Sequence, residues 1–172
     1  MEKEKDNLSY RILRVKDIGF NVNENFILHD KQSSDIKISL SCELKIHTKS
    51  KIIVIEIFAF YYYQHEIGKQ LASITVQNAF TVLNLEEYDT NDRLLLPPNF
   101  LITIVSISLS HTRALFSKNI DGTVFNGIIM PLINPEEFTK SVLPEMFNGT
   151  GLASRAKEIE EKLDQTGEVS EL

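Results

Sequence analysis

The sequence of 172 residues is poor in the residue types that mark disulfide-rich and metal-binding proteins. Cys42 is the only cysteine, which excludes an internal disulfide and agrees with a reducing compartment. The histidines, His29, His47, His65 and His111, have no ligand spacing, and no His-Glu-x-x-His or Cys-x-x-Cys pattern accompanies them. We therefore expect neither a metal site nor a cofactor.

Motifs for covalent and phosphate chemistry are also missing. The sequence contains no Gly-x-Ser-x-Gly elbow and no glycine-rich phosphate loop. Cys42 lies on the apolar side of an alternating segment, where a thiol usually serves as a small hydrophobic group. The paired acids at 86–87 and 136–137 are explained at least as well by a turn and a helix start as by acid–base catalysis. The sequence predicts a protein that is not an enzyme.

Positive charge and long hydrophobic runs are scarce as well. The formal net charge is -6, whereas nucleic-acid binding needs clustered Lys and Arg, so no nucleic-acid partner is expected. The charged residues 1–6 are not followed by the apolar region of a signal peptide. The apolar run 51–63 contains Glu56 and is shorter than the roughly 20 residues that cross a bilayer. We expect a cytoplasmic protein with no membrane insertion.

Alternation of apolar and polar residues dominates the first half of the chain. Residues 35–47 alternate almost perfectly, which is typical of a half-buried strand. Residues 51–64 are apolar on both sides, which predicts a central strand covered on both faces. A third alternating run at 69–85 follows after a short break, so the three runs predict a meander. Residues 9–20 predict a further strand, followed by a longer crossover.

The second half of the chain predicts helices. Prolines at 97 and 98 end the preceding segment, and Asn99 is a candidate N-cap. Residues 100–115 fit both a helical stripe and a strand alternation, and their length favours the helix. Asn134 followed by Pro135 and two acids predicts a short second helix that ends at 142 or 143. Residues 152–163 predict a last helical segment ahead of an acidic tail.

The order of these elements predicts an α+β fold, a four-stranded antiparallel sheet followed by a long and a short helix packed on one face. We expect one domain over residues 1–147 and a charged C-terminal helix and tail over 148–172. Helices on one face cannot cover both sides of the doubly apolar strand at 51–64. The remaining apolar surface predicts an oligomer or a binding groove.

Residues 94–142 resemble the SecB family of protein-export chaperones. The family signature has a proline-led long helix, a glycine-containing turn, an extended segment and a second helix. Its apolar and polar landmarks stand here in order as Phe125, Ile129, Pro131, Ile133, Asn134 and Phe138. Asn126 replaces a proline of the signature, and an insertion separates its last two landmarks. Residues 17–20 are similar to the end of the family's first strand.

The resemblance implies an ATP-independent holdase that binds unfolded polypeptide clients in hydrophobic grooves and assembles as a homo-tetramer, a dimer of dimers. It also implies docking of the export motor SecA on the outer sheet face, where Asp17 matches one acidic position and Asn21 departs from another. The residues that we predict to bind peptides are Phe26, Leu28, Phe60, Tyr62, Phe80, Val82, Ile129, Leu132 and Ile133.

Two other functions fit the same residues. A SecB-like adaptor, or a chaperone dedicated to an antitoxin, would bind one specific partner in place of many clients. A small-molecule binder or hotdog-like enzyme would need a helix wrapped by a sheet with an acid or a histidine facing it. The order of strands first and helices after disfavours the enzyme.

Overall fold

The computed structural model describes residues 8–26, 35–64, 70–90, 93–148 and 152–153. Its main sheet is antiparallel in the order β1-β4-β3-β2. The strands are β1 (Tyr10–Val22), β2 (Ile36–His47), β3 (Ile52–Tyr63) and β4 (Gln70–Val82). All four predicted strands and the meander from β2 to β4 are confirmed. The crossover after β1 takes the chain from one edge of the sheet to the other.

The long helix α1 (Pro98–Ile120) crosses one face of this sheet, over β4, β3 and β1. This confirms the preference for a helix over a strand. Asn99 does not cap the helix, because Pro97 holds the N-cap position and Pro98 the first helical one. Proline suits that position, since its missing N–H would have no partner in the first turn. We call the sheet face under α1 the inner face and the opposite one the outer face.

Two short helices follow α1. The helix α2 (Pro135–Val142) begins as predicted, since Asn134 Oδ1 accepts hydrogen bonds from the backbone N–H of Glu136 at 3.0 Å and of Glu137 at 3.3 Å. It packs on α1. A one-turn helix α3 (Pro144–Phe147) was not predicted, although Pro144 suits the first position of a helix.

A small antiparallel sheet forms beside the main one. Its three two-residue strands are β5 (Asp89–Thr90), β6 (Arg93–Leu94) and β7 (Leu152–Ala153). The predicted helix at 152–163 therefore does not begin at Leu152, because the backbone there pairs with β6. The rest of that predicted helix lies outside the described residues.

The central strand β3 shows how one helical layer divides the sheet. On the inner face its Ile53, Ile55 and Ile57 are fully buried beneath α1. On the outer face Phe58 is 39% exposed. The prediction that this strand is covered on both faces is thus wrong for the described chain, because the helices α1 to α3 follow the sheet in sequence and supply a single layer.

By length and apolar composition, α1 also meets the requirements for crossing a bilayer, a property that the sequence analysis did not assign to it. In the structure 44% of its most apolar window is buried inside the chain. A core helix that packs on a sheet has the same composition, because it must be apolar along its contact side.

Candidate functional site

Strand β2 carries an apolar row along the edge of the inner face. Each side chain in the row lies beside a buried residue of β3, as Leu40 does beside Ala59 and Leu44 beside Ile55. Because α1 lies over β4, β3 and β1, the row borders the helical layer and stays only half-buried. We call these residues the β2 row: Ile36, Ile38, Leu40, Cys42 and Leu44.

An aromatic cluster closes the end of the β2 row at which Ile36 pairs with Tyr63. Phe26, from the crossover after β1, lies 5.7 Å from the ring of Tyr63 and 6.1 Å from that of Phe125. Each such aromatic pair adds about 0.5–1.5 kcal/mol beyond its buried area. The cluster therefore ties the crossover, β3 and the loop after α1 to one another.

The segment 121–134 between α1 and α2 presents apolar side chains to solvent. Its backbone turns at Gly122 and Gly127, which have φ angles of 78° and 92° that favour glycine. Met130 lies between these turns and α2, and its side chain is buried. Its carbonyl oxygen accepts a 3.0 Å hydrogen bond from Nε of Arg113 on α1. Ile129 and Leu132 on either side of this anchor are 77% and 86% exposed. Apolar side chains held outward on an anchored segment are typical of a binding surface.

The predicted peptide-binding residues fall into separate places. Phe80 and Val82 are fully buried in the core of the inner face, and Phe26 is buried in the aromatic cluster. Phe60 and Tyr62 lie on the outer face of β3. Leu28 lies outside the described residues. The segment 121–134 brings the remaining residues together, namely Ile129, Leu132 and the half-buried Ile133.

The β2 row was not among the predicted site residues. Its alternation was visible in the sequence and was interpreted as a half-buried strand. Recognising the row as a surface also required knowing that β2 is an edge strand and that α1 lies away from it. Both facts depend on the pairing of segments far apart in the chain.

Asp17, the residue predicted to dock a partner, lies on the inner side of β1 beside Val76. Its Oδ2 accepts a 2.9 Å hydrogen bond from Nδ2 of Asn119 on α1. The resemblance implied motor docking on the outer face, whereas Asp17 lies on the inner face. Its role in docking stays a prediction.

We call the β2 row and the segment 121–134 the groove, and no other feature of the described chain is assigned to it. A cavity of about 370 Å³ is lined by Asn21, Val22, Asn23, Gln70 and Leu71, and includes none of the predicted peptide-binding residues. Among the residues that the structure describes, there is no group of three or more His, Cys, Asp or Glu side chains that could hold a metal ion.

Cys42, in the middle of the β2 row, offers a chemical probe of the groove. Burial, with a smaller contribution from the charge of Glu43, raises the pKa of its thiol from 9.0 to about 12. At pH 8 this lowers the thiolate fraction roughly 1,000-fold. The more basic thiolate is about 20-fold more nucleophilic, which offsets part of the loss in reaction rate. We expect a disulfide reagent such as DTNB to modify the native protein about 50-fold more slowly than the urea-unfolded chain. Equal rates at pH 8 would contradict the burial of Cys42.

Comparison with known proteins gives a likeness in structure only. No family model matches the sequence, and no curated protein matches it. A SecB-like chaperone of Mycobacterium tuberculosis, solved in complex with a ChAD peptide from the HigA1 antitoxin, matches with a TM-score of 0.51 and 12% identity over 72% of this chain and 90% of that chain. A protein of unknown function from Streptococcus agalactiae matches with a TM-score of 0.28 and 6% identity over 73% of this chain and 99% of that one, which is too weak to support an argument. The first likeness shows a shared fold.

Proposed function

We propose that this protein is a chaperone that binds an extended apolar segment of a dedicated client, such as an antitoxin, and works without nucleotide, cofactor or catalysis. The observation that carries the proposal is the half-buried β2 row on an edge strand, together with the exposed Ile129 and Leu132. The fold likeness to a SecB-like chaperone that was solved with an antitoxin peptide supports it.

The edge position of β2 gives the groove a means of holding a chain of varied sequence. In the described sheet, β2 pairs with β3 on one side, and its other side is the edge. A client segment can add there as a further strand through backbone hydrogen bonds. Alternate side chains of the client would then lie against the β2 row, since the side-chain period of a strand is two residues. Burying each apolar side chain contributes about 1.5–3 kcal/mol.

The expected assembly and location are part of the proposal. We infer a homo-tetramer, a dimer of dimers, in the cytoplasm, as the SecB resemblance implies. The edge strand β1 supplies surface for subunit contacts, since its Ile12, Leu13 and Ile18 are 46%, 56% and 47% exposed. Binding to SecA is left out of the proposal, because Asp17 is bonded to α1 on the inner face.

A general holdase for unfolded chains is the second candidate. Ile129 and Leu132 favour it, because exposed aliphatic side chains select clients by hydrophobicity and not by sequence. The two candidates differ in their clients: a dedicated chaperone binds one antitoxin segment tightly, whereas a holdase binds many unfolded chains of similar hydrophobicity.

Light scattering tests the chaperone proposal. Guanidinium-denatured malate dehydrogenase is diluted into buffer with and without a molar excess of the protein, in the absence of ATP. We expect a bound client segment to protect Cys42 from DTNB, whereas slower aggregation of malate dehydrogenase would favour the general holdase. Protection of Cys42 by an antitoxin peptide without any effect on scattering would favour the dedicated chaperone over the holdase. Failure of both readouts with both clients would contradict the proposal.

A further inference from the structure

The outer face of the sheet carries an aromatic stripe that no described helix covers. Phe58, Phe60 and Tyr62 alternate along β3, with ring centroids 6.1 Å and 5.3 Å apart. The neighbours of Phe58 and Phe60 across the strands are small: Ser39 and Ser41 on β2, and Ser73 and Thr75 on β4. Tyr62 lies between the longer side chains of Lys37 and Gln70. The aromatic stripe is therefore most open to solvent at Phe58, which is 39% exposed.

A polar ladder crosses all four strands beside the aromatic stripe. Arg14 Nη2 donates to Gln77 Oε1 at 2.7 Å, and Gln77 Nε2 donates to Glu56 Oε1 at 2.8 Å. Lys45 Nζ donates to Glu56 Oε2 at 2.9 Å and lies 3.3 Å from a carboxylate oxygen of Glu43. These contacts hold the charged groups in fixed positions across the sheet.

The ladder keeps Glu56 ionised, so its charge is balanced within the sheet. Burial acts to raise the pKa of the Glu56 carboxyl, but hydrogen bonds from Gln77 and Lys45 and the charge of Lys45 lower it overall. Hydrogen bonds to Glu56 and Glu43 raise the pKa of Lys45, against the opposing effect of burial. Both groups therefore stay charged at neutral pH and offset each other.

The outer face as a whole is positively charged, in a chain of formal net charge -6. The strand registers place two carboxylates on it, Glu43 and Glu56. They place more cations on the same face, namely Arg11, Arg14, Lys16, Lys37 and Lys45. The three on β1 lie in one row, level with residues 52–56 of β3. Strand β4 lies between this row and β3. Positive charge is thus concentrated on one face of a protein whose net charge is negative.

We propose that this outer face is a second polypeptide-binding surface, separate from the β2 groove, that selects acidic segments carrying aromatic or aliphatic side chains. The apolar side chains of the partner pack on Phe58, Phe60 and Tyr62. Its carboxylates pair with Arg11, Arg14 and Lys16. At about 3.3 Å per residue, an extended segment of about eight residues reaches from Phe60 to Arg14, and about eleven residues are needed from Tyr62 to Arg11.

A polypeptide fits this surface better than a nucleic acid. The aromatic side chains follow the two-residue period that alternate side chains of an extended peptide also follow. Glu43 and Glu56 lie in the middle of the face, so no continuous row of cations runs along it to match a phosphate backbone. An acidic peptide needs cations at one end only, where they are Arg11, Arg14 and Lys16.

Two synthetic peptides and one oligonucleotide test the proposal on the full chain. The probes are Phe-Asp-Phe-Asp-Glu-Glu-Asp-Glu, its basic counterpart with Lys in place of each acid, and a twelve-residue oligouridine, all labelled and followed by fluorescence anisotropy. We expect the acidic peptide to bind at least tenfold more tightly than the basic one at low salt, and to weaken as salt is added. Equal or tighter binding of the basic peptide, or tighter binding of the oligouridine than of the acidic peptide, would overturn the proposal.

Charge reversal identifies the surface. R14E/K16E is expected to weaken binding of the acidic peptide roughly tenfold. The control K118E/K140E changes the net charge equally on the helical side, and is expected to leave binding within twofold. A second outer-face variant, R11E/K16E, keeps the hydrogen bond between Arg14 and Gln77. Weaker binding in this variant therefore cannot result from the loss of that bond. If neither outer-face variant weakens binding, or if the control weakens it equally, the proposal is wrong.

The test also separates this surface from the proposed groove. R14E/K16E is expected to leave the protection of Cys42 by a bound client unchanged, because neither residue lies on the inner face. Loss of acidic-peptide binding with intact chaperone activity supports two surfaces. Parallel loss of both in a folded variant would show a single shared surface and would overturn the second site, whatever the standing of the chaperone function.

Discussion

Replacing Phe116 by alanine is expected to lower the free energy of unfolding by about 3–5 kcal/mol. Phe116, on α1, is 1% exposed, and its ring stacks on that of Tyr61 at 4.5 Å with an interplanar angle of 11°. Tyr61 is itself buried on the inner face of β3. The substitution leaves a cavity between a helix and a sheet, which cannot close without moving α1.

Urea denaturation at fixed protein concentration measures this loss. Leu95→Ala is a suitable control, because Leu95 is 43% exposed and its truncation should cost less than about 1 kcal/mol. A loss for F116A as small as that of the control would contradict the packing of α1 on β3. We also expect F116A to weaken client binding, since Tyr61, on which Phe116 stacks, lies beside Ile38 of the β2 row.

The double substitution I129D/L132D is expected to weaken binding of an apolar client segment about 100-fold. Each side chain contributes about 1.5 kcal/mol or more when it is buried against a client, and 1.4 kcal/mol corresponds to a tenfold change in affinity. The two aspartates would in addition have to lose water on binding. Stability should hardly change, because Ile129 and Leu132 are 77% and 86% exposed in the free chain.

Fluorescence anisotropy with a labelled client peptide measures the affinity, and urea denaturation confirms that the variant is folded. Val124→Asp is the matched control on the same segment, because Val124 is 47% exposed and lies before the anchor at Met130. Wild-type affinity in I129D/L132D would remove Ile129 and Leu132 from the binding site. Equal losses in V124D would show a general effect of negative charge.

Local patterns accounted for most of the secondary structure. The alternation at 35–47 and the paired prolines at 97 and 98 led to β2 and α1, because side-chain period and proline geometry act within a few residues. Asn134 caps α2 as predicted for the same reason. The strand at Leu152–Ala153 could not be predicted, because it depends on pairing with Arg93–Leu94, about 60 residues away along the chain.

The exposure of the predicted site residues could not be read from the sequence. Phe80 and Val82 were expected to bind peptides and are core residues, since strand alternation states which residues share a face but not which face the helix covers. Phe60 and Tyr62 share a strand with the buried Tyr61 and yet lie on the opposite face. Ile129 and Leu132 were expected at the surface segment, and the structure leaves both exposed.

The amino-acid sequence by itself determined the α+β class, the strands β1 to β4, the helices α1 and α2, and the presence of more apolar surface than one helical layer covers. Only the tertiary structure decided where that surface lies: on the edge row of β2, on Ile129 and Leu132, and on the outer aromatic stripe of β3. The physical reason is that periodicity arises from neighbouring residues, whereas exposure depends on which distant segments pack against a face. The order β1-β4-β3-β2 and the path of α1 make that choice.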